Sequence, residues 1–300
     1  MQRTAPGLRT DPATRLAELG RQRPEWSTWV RLLAEVLPLL DDAGWPSPLP
    51  EAGDPTGSDN GRSPGQPLLH GARLVVDTER VHRLLHSLTR ITAAEGVPGA
   101  PALVGYEPPL DILLDLIAGA VRQDHASIGE IAAAAAVDAA ALDVIAQLTA
   151  LPLLRSCGRL LGDEVPADWP HGHCPICGSW PLLGEFRSLD RTRRLRCGRC
   201  TADWRINWLH CPYCDETNHE KLGSLELEEE LGSVTVETCF HCLGYLKSVT
   251  TLQAIGSDEL LLRDLETVEM DMAALDRGFV RPGGAGFPVE LRLTSRTSYD

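Results

Sequence analysis

Apolar residues recur at helical spacing through the first half of the chain. From Pro12 to Leu40 they fall at Leu16 and Leu19 and then at Trp29, Leu32, Leu33 and Val36, which predicts helix with a kink or an end at Pro38. Asp77 is placed to cap a second segment, where Val81, Leu84, Leu85, Leu88 and Ile91 follow the i, i+3, i+4, i+7 rule until Gly96 and Pro98 stop it. The stripe returns at Leu110, Leu113, Leu114, Ile117 and Val121 behind Pro108 and Pro109, and Ile128 to Leu154 predicts one or two alanine-rich helices. Between the first two segments, Trp45 to Pro67 is dense in Pro, Gly, Ser and Asp and predicts a loop unable to hold a regular ladder.

Near Asp168 the period changes from helical to two-residue. Glu226–Leu231 and Val234–Thr238 flank Gly232 and Ser233, which predicts a β-hairpin feeding its last strand into Cys239. Leu261, Leu265, Val268, Met272 and Leu275 then form one more amphipathic stripe, closed by Gly278 and followed by a tail rich in Gly and Pro. The expected class is α+β. An α-helical domain covers residues 1–168, with its proline- and glycine-rich loop between 45 and 70. A first four-cysteine module covers 169–209, a second covers 210–254, and a C-terminal helix with its tail covers 255–300.

Composition narrows the function. With 43% hydrophobic residues over 300 positions the chain can bury a sizeable core. The opening MQRTAPGLRT has no apolar run, and the alanine-rich stretch from Ile131 is interrupted by Asp138 and Asp143. Neither a signal peptide nor a membrane span is predicted, and the cytoplasm is the expected compartment. A formal net charge of −14 argues against general nucleic-acid binding, which needs Lys and Arg to neutralise phosphates. No GxGxxG, Walker, GxSxG or HExxH pattern occurs, so an enzyme is not expected.

Eight of the nine cysteines form C-x-x-C pairs: Cys174 with Cys177, Cys197 with Cys200, Cys211 with Cys214, and Cys239 with Cys242. Two intervening residues let a tight turn aim both sulfurs at one ion, and two pairs complete a tetrahedral shell. The gap from Cys177 to Cys197 holds 19 residues and that from Cys214 to Cys239 holds 24, each the length of a short hairpin, so sequential pairing into two sites is favoured. Four-thiolate shells accept zinc and iron with nearly the same geometry, so two metal ions, iron or zinc, are expected. A closed shell leaves no open position for a substrate, so direct Lewis-acid or metal-hydroxide catalysis is not expected at either site, while electron transfer through iron stays open.

Arg187, Arg191, Arg193, Arg194, Arg196, Arg199 and Arg205 crowd the second pair, where they can offset thiolate charge, face an acidic partner, or simply be solvated. Cys157 stands outside the pairs and reads as a small buried hydrophobe. His171, His173, His210 and His241 neighbour ligand cysteines and are expected beside the shells or in solvent. Trp180, Trp204 and Trp208, with Phe186, are expected to pack the interior of the metal modules.

The segments HCPICGSWPLLGEF, RRLRCGRCTADWRINWLHCPYC and ETCFHCLGYLKSV resemble the cysteine-rich region of the FdhE family of formate dehydrogenase accessory proteins, over His173 to Val249. TRLAELGRQRPEWSTWVRLLAEV resembles the family's opening helices, and the last amphipathic helix leads into GFVRP as in the family. The resemblance implies an α-helical domain followed by two rubredoxin-like modules, iron-binding in some members, in a cytoplasmic protein needed for formate dehydrogenase activity. It also implies the enzyme's catalytic subunit as partner. Carried over by residue, Cys174, Cys177, Cys197 and Cys200 form one site, and Cys211, Cys214, Cys239 and Cys242 the other. Two other classes compete with this reading: a nucleic-acid-binding double zinc ribbon, and a rubredoxin-like electron carrier.

Overall fold

The computed structural model describes residues 11–42, 44–45, 48–49, 63–225 and 234–295. Six helices build the first half: α1 (Pro12–Gln22), α2 (Ser27–Leu40), α3 (Thr78–Ala94), α4 (Leu110–Arg122), α5 (His125–Ala134) and α6 (Ala139–Leu161). Four of them begin alike. Asp11, Asp77, Asp124 and Asp138 accept the backbone N–H of Thr14, Arg80, Ser127 and Ala141, three residues on, satisfying donors that a helix start leaves without partners. A short 3-10 turn at Pro24–Trp26 divides the predicted first helix in two, and Pro38 lies inside α2, two residues before its end.

Helix α6 extends well past the predicted Leu154, carrying Cys157 and Gly158 into the interior. Residues Ala139–Glu164 are long and apolar enough to cross a membrane, yet 78% of that apolar window is buried within the protein, the mark of a central core helix. Leu32, Val36, Leu85, Leu88, Leu113, Ile117, Leu142, Ile145 and Leu154 form one apolar core, which runs without a break into Cys174, Cys177, Cys197, Cys200 and Trp204.

Six strands follow: β3 (Leu183–Arg187), β4 (Thr192–Arg196), β5 (Asp203–Arg205), β6 (Leu222–Leu225), β7 (Val234–Cys239) and β8 (Tyr245–Thr251). They form a single sheet in the order β5-β4-β3-β8-β7-β6. Its central pair, β3 and β8, is parallel, with Gly184 opposite Ser248 and Arg187 opposite Thr251, so the strands of both cysteine modules are hydrogen-bonded into one sheet. Of the predicted hairpin, β7 is present and pairs with β6, while residues 226–233 lie outside the described residues.

Three expectations need correction. The Pro-rich stretch after Trp45 does enter a ladder, since β1 (Pro48–Leu49) pairs with β2 (Ala72–Val76) at a sheet edge, where a proline needs no inter-strand N–H. The expected C-terminal helix and tail also include a strand, since β9 (Leu291–Ser295) pairs in parallel with β2. The final amphipathic stripe is two short helices, α7 (Leu260–Glu266) and α8 (Val268–Leu275), interrupted at Thr267.

Lys247 accounts for the capture of that interruption. It points from β8 into a space where it is 0% exposed, and its Nζ donates to the Asp264 carbonyl at 2.7 Å, the Thr267 carbonyl at 3.3 Å and the Asp271 carboxylate at 2.6 Å. Arg281 donates to the Asp264 and Asp271 carboxylates, each at 2.7 Å. Buried charges survive when paired and hydrogen-bonded, and this set is. Helix α8 then lays Met270 and Ala274 over Val234, Val236, Tyr245 and Val249, while Leu262 of α7 joins Leu16, Leu19 and Leu33 of the helical half.

Candidate metal centres

Each C-x-x-C pair sits in the same backbone knuckle. The N–H of the first cysteine donates to the carbonyl five residues on: Cys174 to Ser179, Cys197 to Ala202, Cys211 to Glu216 and Cys239 to Gly244, at 2.8 to 3.0 Å. The residue after each second cysteine takes a left-handed conformation: Gly178 at φ 74°, Thr201 at 65°, Asp215 at 59° and Leu243 at 58°. Only the first of these is the glycine that such a turn favours, so three knuckles hold a side chain in a strained position.

The knuckles meet in sequential pairs. The sulfurs of Cys174, Cys177, Cys197 and Cys200 lie within 4.8 Å of one another, as do those of Cys211, Cys214, Cys239 and Cys242. Between knuckles, Cys174 Sγ is 3.3 Å from Cys200 Sγ and Cys177 Sγ is 3.5 Å from Cys197 Sγ; in the second group Cys211–Cys242 and Cys214–Cys239 are both 3.7 Å. A regular tetrahedron with metal–sulfur bonds of about 2.3 Å has edges of about 3.8 Å, so both groups fit a four-thiolate ion. Backbone N–H groups are aimed at the sulfurs: Ile176 and Cys177 at Cys174 Sγ, and Cys200 at Cys197 Sγ, at 3.4 to 3.5 Å.

Within each group the thiols differ in acidity. Burial raises Cys174 and Cys200, whereas hydrogen bonds from Cys174, Cys197 and Cys200 hold Cys177 well below the ordinary thiol range. In the second group burial raises Cys211 and pushes Cys242 up to about 11. Burial also opposes Cys239, but N–H donation from Cys242 and His241 outweighs it and lowers that thiol.

The surroundings of the two groups are unlike. The first is fully buried under α6, where Gly158 packs directly on the Cys200 carbonyl and any Cβ would overlap it. Arg199 donates to the Ala120 and Val121 carbonyls at the end of α4, at 2.6 and 3.0 Å, and Arg155 of α6 donates to the Gly198 carbonyl at 3.3 Å. In the second group Cys214 and Cys242 are partly exposed. His241 Nδ1 lies 3.7 Å from Cys214 Sγ, and the buried Cys211 and Cys239 help to line a groove of about 370 Å³.

The arginine-rich hairpin is not a solvated charge run. Arg193 and Arg196 are buried; Arg193 pairs with Glu237 at 2.8 Å, and Arg196 with Glu185, which is itself 0% exposed. Arg187 bridges Glu185 at 2.6 Å and Asp203 at 2.9 Å, and Arg194 also binds Asp203. Arg191 lies over the rings of Phe186 and Trp208, and Arg205 is exposed. In this hairpin Arg187, Arg193, Arg194 and Arg196 are therefore engaged by carboxylates of the chain itself and not free for a phosphate backbone.

Cys157 is buried and apart from both groups, and burial pushes its thiol up to about 12. His173 Nε2 donates to the Gly65 carbonyl at 3.1 Å and stacks on His171, and His210 meets Asp215 at 2.9 Å. Trp204 is core, its indole donating to the His171 carbonyl at 3.0 Å, but Trp208 is half exposed and packs against Phe186 on the surface, contrary to its expected place inside. Arg155, Gly158 and Lys247 carried no expectation. The only signal for Lys247 was a charge within the otherwise apolar and hydroxylic strand Tyr245–Thr251.

Comparisons with known proteins bear on both modules. Over 113 residues the chain is 33% identical to a "Protein FdhE homolog" of Haemophilus influenzae, and over 114 residues it is 32% identical to that of Pseudomonas aeruginosa. The fold is similar to the crystal structure of the FdhE protein from Pseudomonas aeruginosa, with a TM-score of 0.51 and 23% identity over 93% of this chain and 94% of that one. These findings support the FdhE family. The sequence match to the Haemophilus FdhE homolog spans 37% of this chain and 36% of that protein, while the structural match to FdhE extends to the helical half as well. A comparison with protein-family models gives no match.

Proposed function

We propose that this chain is an accessory protein for the maturation of formate dehydrogenase, acting in the cytoplasm by binding the enzyme's catalytic subunit. Two ions, iron or zinc, are held by Cys174, Cys177, Cys197 and Cys200 and by Cys211, Cys214, Cys239 and Cys242. The observation that carries the reading is the convergence of eight thiols into two tetrahedral groups on one FdhE-like fold. Such shells are full once an ion is bound, which favours a binding protein over an enzyme. The internal pairing of Arg187, Arg193, Arg194 and Arg196 favours a protein partner over nucleic acid.

The test has two parts. Metal analysis of anaerobically purified protein should give two ions per chain, with thiolate charge-transfer bands if the metal is iron. Affinity capture with the tagged full chain should recover the catalytic subunit of formate dehydrogenase, and a strain lacking the protein should regain formate dehydrogenase activity when the chain is supplied. Capture that never recovers the subunit, together with undiminished enzyme activity in the deletion strain, would refute the accessory role.

A further inference from the structure

The two centres differ in their access to solvent. Every knuckle of the first is covered by another part of the chain. Gly158 of α6 closes on Cys200, the N–H groups of Leu68 and Leu69 donate to the Pro175 and Ile176 carbonyls at 2.8 and 2.9 Å, and that of Phe287 donates to Gly178 at 2.9 Å. Its four cysteines are each at most 1% exposed. A ligand can reach these sulfurs only after α6, the 68–69 segment or the 287 segment lifts away, which breaks the main core.

At the second centre Gly172 closes on the Pro212 carbonyl and the N–H of Val280 donates to that of Leu243 at 2.8 Å, but two of its cysteines stay partly exposed. Cys214 and Cys242 reach solvent directly, and the knuckle residues Phe240 and Leu243 are 60% and 49% exposed. Cys211 and Cys239 are buried at the floor of the groove between the Trp208–Tyr213 segment and strands β6 and β7, so access is through Cys214 and Cys242. The imidazole of His241 stands beside Cys214 Sγ and can take that sulfur's place when it departs.

Replacing one thiolate by another at a full tetrahedral shell requires the incoming donor to approach before the old one has left, so access decides the rate. Building on the two-ion reading above, we propose that the centres divide their roles: the first is a locked part of the core, and the second is an exchange centre. The ligand it admits is a small protonated donor, a thiol or a chelator. That donor bonds to the ion as Cys214 or Cys242 departs, its proton passing to the departing sulfur, with no change in the metal's oxidation state. The second centre can thereby accept or surrender its ion while the fold stays intact.

The experiment uses the full chain loaded with zinc and mixed rapidly with the chromogenic chelator 4-(2-pyridylazo)resorcinol. One equivalent should be released fast and the other roughly 100-fold more slowly, because only the second release awaits opening of the core. Sub-denaturing urea should accelerate the slow phase alone. Cys242→Ser should remove the fast equivalent and leave the slow one and the helical circular dichroism unchanged. Release of both equivalents at one rate, or a fast phase that survives in both Cys242→Ser and Cys214→Ser, overturns the exchange proposal while leaving two-ion binding standing. Fewer than two equivalents in total overturns the two-ion reading itself, and this proposal with it.

Discussion

Replacing Gly158 by alanine tests whether the first metal centre is built into the helical core. Gly158 lies inside α6, three residues before its end, and on helix propensity alone alanine should stabilise it by about 1 kcal/mol. The tertiary contact argues the opposite way. A Cβ at this position would overlap the Cys200 carbonyl oxygen and lie 2.8 Å from its carbon. Relaxed carbon contacts need about 3.5–4.0 Å, so the helix and the knuckle would have to part by roughly 1 Å.

That movement costs about 3 kcal/mol as overpacking and threatens the Arg155 bond to the Gly198 carbonyl, a charge-assisted hydrogen bond of about 1.5 kcal/mol. Set against the propensity gain, the net loss is about 3 kcal/mol. Urea unfolding followed by far-ultraviolet circular dichroism should show the midpoint lowered at unchanged slope, and the slowly released zinc equivalent should leave faster. A Gly158→Ala protein as stable as the parent, or more so, would refute the claim that α6 and the first centre form one packed unit.

Three further predictions follow from the same geometry. Asp264→Asn withdraws a counter-charge from buried Lys247 and from Arg281 and should destabilise the protein by about 3 kcal/mol at neutral pH. Burial opposes ionisation of Asp264, but Arg281 and Lys247 outweigh it and hold the carboxyl below its ordinary 3.8. Its stabilisation is therefore present above pH 3.8 and lost as pH falls through the lower folded value, so parent and variant, unfolded in parallel buffers, should converge below that pH. A constant difference down to acid pH would contradict this. Cys157, with its thiol at about 12, should resist iodoacetamide at mildly alkaline pH until the protein is unfolded, as read by peptide mass spectrometry; prompt alkylation in the native state would show that α6 is not packed as described. Leu243→Gly should raise stability by about 0.5–1 kcal/mol in chemical unfolding, since it relieves a left-handed leucine at small cost in burial, and a loss of stability would mean that Leu243 makes a contact worth more than the strain.

Local rules were legible without the fold. The stripes from Val81 to Ile91 and from Leu110 to Val121 became α3 and α4 with bounds close to those expected, and Asp77 caps as its position predicted, because a helix start needs an acceptor within three residues. The four cysteine pairs met in the order their spacing favoured, since a short hairpin returns the chain to the same edge. What failed was of another kind. The proline-rich stretch and the C-terminal tail supply strands to one small sheet although more than 200 residues separate β2 from β9, and no local pattern encodes a partner so far away. Trp208 has the composition of a core residue and lies on the surface, while Arg193 and Arg196 have the composition of a surface and lie inside, because Glu185 arrives from the adjacent strand β3 and Glu237 from β7, across the sheet.

The sequence by itself determined which residues can hold metal, because sulfur chemistry and a two-residue spacing act over a single turn. It also determined the helical half, where apolar period and aspartate caps act within one or two turns. Only the tertiary structure decided that the two four-thiol groups are not equivalent. Their motifs are nearly the same word, yet one is sealed by α6 and the other is left open, and that difference arises from packing between segments distant in the chain.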